Sequence, residues 1–126
     1  MTLLLNCDLG ESANIDSENV DASVMPFIDQ ASIACGFHAG DPDVMAQTLT
    51  YALENKVQIG AHPSYPDREN FGRLSMDLPH QQLIDMIKEQ ISALVNIGKS
   101  LGAEVSYVKP HGALYNDMMA NGHIRS

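Results

Sequence analysis

Basic residues are scarce in this chain: seven lysines and arginines stand against 16 aspartates and glutamates, for a formal net charge of -9. Such an acidic surface repels nucleic-acid phosphates and anionic lipid headgroups, which argues against nucleic-acid or membrane partners. Long apolar runs are missing too. The opening Met-Thr-Leu-Leu-Leu-Asn lacks a basic n-region, and nothing that follows has the length of a secretory leader or a membrane span. Cysteine is limited to Cys7 and Cys35, both inside apolar runs and with no CxxC spacing. That pattern argues against a disulfide framework or a cysteine zinc site and fits buried thiols in a reducing compartment, so the cytoplasm is the expected location. No GxxxxGK[ST] occurs, so any nucleotide site is not a P-loop. Linkers and low-complexity tracts are also missing, and 44% hydrophobic content over 126 residues is enough for one domain, residues 1–126, to bury a core.

What is present is a repeated grammar. Short apolar runs at residues 3–7 (LLLNC), 31–35 (ASIAC), 57–61 (VQIGA) and 105–109 (VSYVK) read as strands buried on both faces of a parallel sheet. Helical segments lie between them. Ser17 is a cap signal for a short helix stepping through Val20, Val24 and Ile28, which Pro26 should end or kink. Asp41-Pro42 is a stronger start signal, for a helix carrying Val44, Thr48 or Leu49 and Ala52 or Leu53 to about Asn55. The longest helix begins near Pro79, with a stripe of Leu83, Ile87, Ile91, Leu94 or Val95, and Leu101, and Gly102 supplies a left-handed stop. Alternation of this kind predicts an α/β fold with parallel strands, whose carboxyl ends carry the chemistry.

Each apolar run is broken abruptly by polar residues. Asp8 and Glu11 follow the first, His38 and Asp41 the second, His62, Asp67 and Arg73 the third, and Lys109, His111 and Tyr115 the fourth. Singly, each is an ordinary turn. Gathered on one rim, they are an enzyme's layout. Asp8 and Glu11 are the expected metal ligands or acid/base groups. In GFHAGDP, Gly36 and Gly40 allow close backbone approach around His38, while Asp41 as an N-cap would occupy a helix donor and repel a phosphate. In the long loop HPSYPDRENFGR, Arg68 or Arg73 has the planar fork for a carboxylate or phosphate. Lys109 places an ammonium at the rim, with His111 and Tyr115 close behind.

NCDLGES, SIACGFHAGDP, IGAHPSYPDRENFGR and YVKPHGALYN, in that order, resemble the LamB/YcsF family of prokaryotic 5-oxoprolinase A subunits, over about Leu5 to Asn116. The resemblance implies a seven-stranded β/α barrel of the glycoside hydrolase/deacetylase type. It also implies ATP-dependent opening of the 5-oxoproline lactam to glutamate, in a complex with B and C subunits. Asp8, Glu11, His38, Asp41, His62, Lys109 and His111 match the family pattern and would line the site. Leu74 follows Arg73 where the family usually reads FGRR. Family members have the length of a closed barrel, about 250 residues. Four strands make only the N-terminal half of such a barrel, so the rest is expected from another chain or a second copy, or else the chain is a shortened product. An open edge of this kind favours self-association.

The expected roles are Asp8, Glu11, His62, Lys109 and His111 in catalysis, and His38, Asp41, Arg73 and Tyr115 in substrate or nucleotide binding. Lys109 would stabilise phosphate or an oxyanion, His62 and His111 would transfer protons, and Asp8 or Glu11 would hold Mg²⁺ or activate water. Two alternatives stand beside this reading. One is a metal-dependent, deacetylase-like amide hydrolase using Asp8, His38 and His62. The other is a non-catalytic half-barrel interaction module.

Overall fold

A computed structural model of the chain describes residues 4–11, 21–37 and 39–120. The expected Ser17 cap, Val20 and His38 lie outside the described residues. The elements run β1 (Asn6–Leu9), α1 (Asp21–Val24), a 3-10 turn (Met25–Phe27), β2 (Gln30–Ala34), α2 (Pro42–Glu54), β3 (Gln58–His62), α3 (His80–Leu101), β4 (Val105–Val108) and α4 (Gly112–Ala120). The strands form one parallel sheet in the order β1-β2-β3-β4. Among the described residues, no helix is long and apolar enough to cross a membrane.

Local chemistry places the helices. Asp41 is extended (φ -156°, ψ 176°), and its carboxylate accepts from the Val44 N–H at 2.9 Å, while Pro42 supplies a preset φ for the first turn. Gly102, at φ 80°, ends α3 and returns its N–H to the carbonyls of Gly98 and Lys99. Pro26 sits in the 3-10 turn that breaks the first helical segment. The first strand begins later than its apolar run suggests: Leu4 and Leu5 are exposed, and pairing starts at Asn6.

The central strands β2 and β3 are buried on both faces, as expected, while β1 and β4 are more exposed, and only one face of the sheet is apolar. Cys7, Leu9, Ala31, Ile33, Ile59 and Ala61 face one way, into a core completed by Leu49 and Ala52 of α2 and Leu94 of α3. The intervening residues make a polar face. Asn6 donates to Gln30 at 3.2 Å, Gln30 to Gln58 at 2.9 Å and Gln58 to Ser106 at 3.0 Å. One layer higher, Ser32 donates to Asn6 at 3.0 Å and Asn6 to the Tyr107 hydroxyl at 2.9 Å. Strict alternation was obscured in the sequence because small residues occupy part of this face. Gly60 is one of them: a Cβ there would overlap the Tyr107 ring, so its bare backbone lets that ring lie across the sheet. On the same face Asp8 pairs with Ser32, and His62 stands one layer above Gly60.

The buried stripe of α3 is Leu83, Met86, Gln90, Leu94 and Gly98, rotated from the expected one: Ile87 and Ile91 are half-buried and Leu101 is exposed. Tyr65, Leu83, Met86, Ala113 and Leu114 form a second apolar cluster, which seats the long loop after β3 against α3 and α4.

Candidate active site

The carboxyl ends of β1, β3 and β4 converge on a cleft of about 460 Å³ whose walls include Asp8, His62, Arg73, Lys109, His111 and Tyr115. The loops carrying these residues are tied backbone to backbone. Lys109 N–H donates to Ala61 O and His111 N–H to Pro63 O, both at 2.8 Å, and Ala113 N–H donates to Gly72 O at 3.0 Å. Gly112 lies so close to Gly72 that a Cβ would strike its carbonyl oxygen, and its φ of 55° adds to the demand for glycine. Gln90 of α3, fully buried, accepts from the Ser64 N–H at 2.9 Å and donates to the Ser64 carbonyl at 2.8 Å. It thereby fixes the backbone two residues after His62.

On this frame, the Lys109 ammonium donates to Asp8 Oδ1 at 2.9 Å, and Asp8 Oδ2 lies 3.6 Å from His62 Nε2. Burial would push the Asp8 carboxyl upward, but the Lys109 hydrogen bond and the positive charges of His62, Lys109 and His111 outweigh it, so the carboxyl stays ionised below its usual range. Burial has the opposite consequence for His62, pushing it down to about 4 against the pull of the Asp8 charge.

The two histidines are buried and meet edge to face, ring centroids 4.8 Å apart. Each is anchored by a backbone carbonyl: His62 Nδ1 lies 2.6 Å from Lys109 O, and His111 Nε2 lies 2.7 Å from Phe71 O. A carbonyl only accepts, so both nitrogens carry N–H groups. Phe71 has φ 56°, a left-handed conformation uncommon for a large side chain, and its carbonyl is the one that receives the His111 proton. With those tautomers set, His62 Nε2 and His111 Nδ1 face each other at 2.9 Å. In these tautomers two neutral imidazoles oppose lone pair to lone pair at this contact. Glu11 reaches the same point, with Oε2 3.7 Å from His111 Nδ1.

Of the residues singled out from the sequence, Asp8, Glu11, His62, Lys109 and His111 come together, with Arg73 and Tyr115 on the rim. Arg73 also stacks over the Phe71 ring at 5.4 Å. His38 lies outside the described residues. Asp41 caps α2 through Oδ1 and is not among the cleft's walls. Arg68 is committed as well: its guanidinium donates to Gly36 O at 2.8 Å and Gly40 O at 2.6 Å, tying two loops together instead of facing a ligand. Among the described residues, Glu11, His62 and His111 are a potential metal-ligand group, while the expected Asp8–His38–His62 set includes His38, outside the described residues. Gln90 and the Phe71 carbonyl were missed. Gln90 sits in a helical pattern where a polar residue reads as solvent-facing, and a carbonyl leaves no mark in a sequence.

The chain matches the LamB/YcsF family over residues 3–125. It is 59% identical over 119 residues to the second 5-oxoprolinase A subunit of Pseudomonas putida, covering 94% of this chain and 46% of that protein. To the 5-oxoprolinase A subunit of Vibrio cholerae it is 53% identical over 123 residues, covering 98% of this chain and 50% of that one. The crystal structure of a lactam utilization protein from Thermus thermophilus superposes with a TM-score of 0.93 at 35% identity, over 98% of this chain and 50% of its own. The chain thus spans about half the length of the relatives it matches, with the same parallel α/β architecture. By sequence and by fold, it belongs to the LamB/YcsF family.

Proposed function

We propose that this chain carries lactam-opening chemistry: ATP-dependent hydrolysis of 5-oxoproline to L-glutamate, within a multi-subunit 5-oxoprolinase that also contains B and C subunits. The observation that carries the reading is the Lys109–Asp8–His62 alignment on an open cleft, with a 2.9 Å ion pair, a 3.6 Å approach to a buried imidazole, and Arg73 on the same wall. The names of the relatives, 5-oxoprolinase and lactam utilization protein, supply the substrate class.

An unstrained lactam is a poor electrophile. Phosphorylation of its oxygen creates an imidate-like carbon that water attacks, and breaking the C–N bond then gives an acyl phosphate that a second water cleaves. Lys109 stabilises the oxygen that gains charge, and Arg73 holds the substrate carboxylate. Asp8, kept ionised, takes a proton from the attacking water. Without a P-loop, the nucleotide is bound by other elements, in part by the companion subunits.

The test is phosphate release from ATP with and without 5-oxoproline, using this chain together with the B and C subunits. Release that depends on 5-oxoproline and falls about 100-fold or more in Lys109→Ala is the expected result. Turnover equal to wild type in that variant removes Lys109 from the mechanism, and glutamate formation without ATP replaces the reading with direct amide hydrolysis.

A further inference from the structure

We propose that Glu11, His62 and His111 form a binding site for one divalent first-row transition-metal ion, held by two imidazole nitrogens and a carboxylate oxygen. The inference starts from the tautomers. Both outer nitrogens donate to backbone carbonyls, so both inner nitrogens, 2.9 Å apart, present lone pairs to the same point. A shared proton or a metal ion can occupy that point.

Three features favour the metal. First, two imidazole nitrogens bound to one ion at about 2.0–2.1 Å stand about 3 Å apart, which the observed 2.9 Å matches. Second, a carboxylate is in reach: the ligand atoms of Glu11, His62 and His111 lie within 4.8 Å of one another, and Glu11 Oε2 is 3.7 Å from His111 Nδ1. A linear hydrogen bond shared by two rings has no use for this third, off-axis donor, whereas two histidines and a carboxylate are a standard facial set for an ion with open positions. Third, each imidazole already has the outer N–H-to-carbonyl bond that orients a metal-ligating histidine. Asp8, 3.6 Å from His62 Nε2 and held by Lys109, flanks the site.

The site is testable without lactam or nucleotide, so its failure is separate from failure of the proposed reaction. Metal-stripped protein is titrated with Mn²⁺, and bound ion is followed by electron paramagnetic resonance. One Mn²⁺ per chain is expected, with ¹⁴N couplings from two imidazoles in the pulsed spectrum of the unmodified protein. His111→Asn and Glu11→Gln should weaken binding by about 100-fold and about 10-fold or more, respectively. Asp43→Asn, in the exposed first turn of α2, should leave it unchanged. Bound Mn²⁺ without nitrogen coupling, or retained at full affinity in a folded His111→Asn variant, overturns the proposal. So does absence of binding together with a strongly downfield proton resonance coupled to both rings, which assigns the shared centre to a proton.

Discussion

Replacing Gln90 by Leu tests how the site is held in place. Gln90 is fully buried, and its amide serves both the N–H and the C=O of Ser64, itself fully buried. Leucine is similar in volume and more apolar, so the packing contribution is small and of favourable sign. The cost falls on the backbone. Each buried peptide group left without this partner costs about 1–3 kcal/mol, giving about 2–6 kcal/mol for the pair, less any part recovered by water or relaxation. Against the usual domain stability of about 5–15 kcal/mol, this is a large fraction. Urea unfolding followed by circular dichroism would read it as a lowered midpoint at unchanged slope. Gln81→Leu is the control, because Gln81 donates to Asp85 from an exposed position on the same helix, where loss should stay within about 0.5 kcal/mol. If Gln90→Leu also stays within about 0.5 kcal/mol of wild type, the claim that Gln90 anchors the loop beyond His62 is wrong.

Two further outcomes follow from the packing. Tyr65 is buried, and burial, together with the hydrogen bond its hydroxyl donates to Asp117 at 2.6 Å, raises its pKa above the ordinary tyrosine value. The folded value therefore exceeds the unfolded one, so this contribution is fully present below about pH 10 and is lost as pH rises above it. Denaturation midpoints between pH 8 and 11 should fall more steeply for wild type than for Tyr65→Phe, and parallel curves would refute this. Gly60→Ala drives a methyl into the Tyr107 ring and should cost about 1–3 kcal/mol. In a Tyr107→Ala background the same change should cost less than half as much, and equal costs in a double-mutant cycle would show that the ring is not the obstacle.

Much of the fold was legible because its signals are local. Asp41-Pro42 and Gly102 mark helix ends through bonds that span a few residues, and the polar residues ending each apolar run mark the strand ends where loops carry chemistry. The two-sidedness of the sheet was less legible. Gly60 and Ser32 look neutral in a run of apolar neighbours, and only pairing with Tyr107 and Asn6 reveals their face as polar.

By itself, then, the sequence determined the alternation of elements as far as β4, the caps at Asp41 and Gly102, and the rim on which Asp8, Glu11, His62, Lys109 and His111 gather, while α4 (Gly112–Ala120) went unread. The tertiary structure decided what those residues are to one another. Lys109 meets Asp8 across 101 positions and His62 meets His111 across 49, distances over which no periodicity or motif carries information. It also gave Asp41 and Arg68 backbone partners, and it set the imidazole tautomers through two carbonyls. The physical reason is common to all of these. A side chain's chemistry is set by what occupies its donors and acceptors, and those partners come from chain segments that only folding brings together.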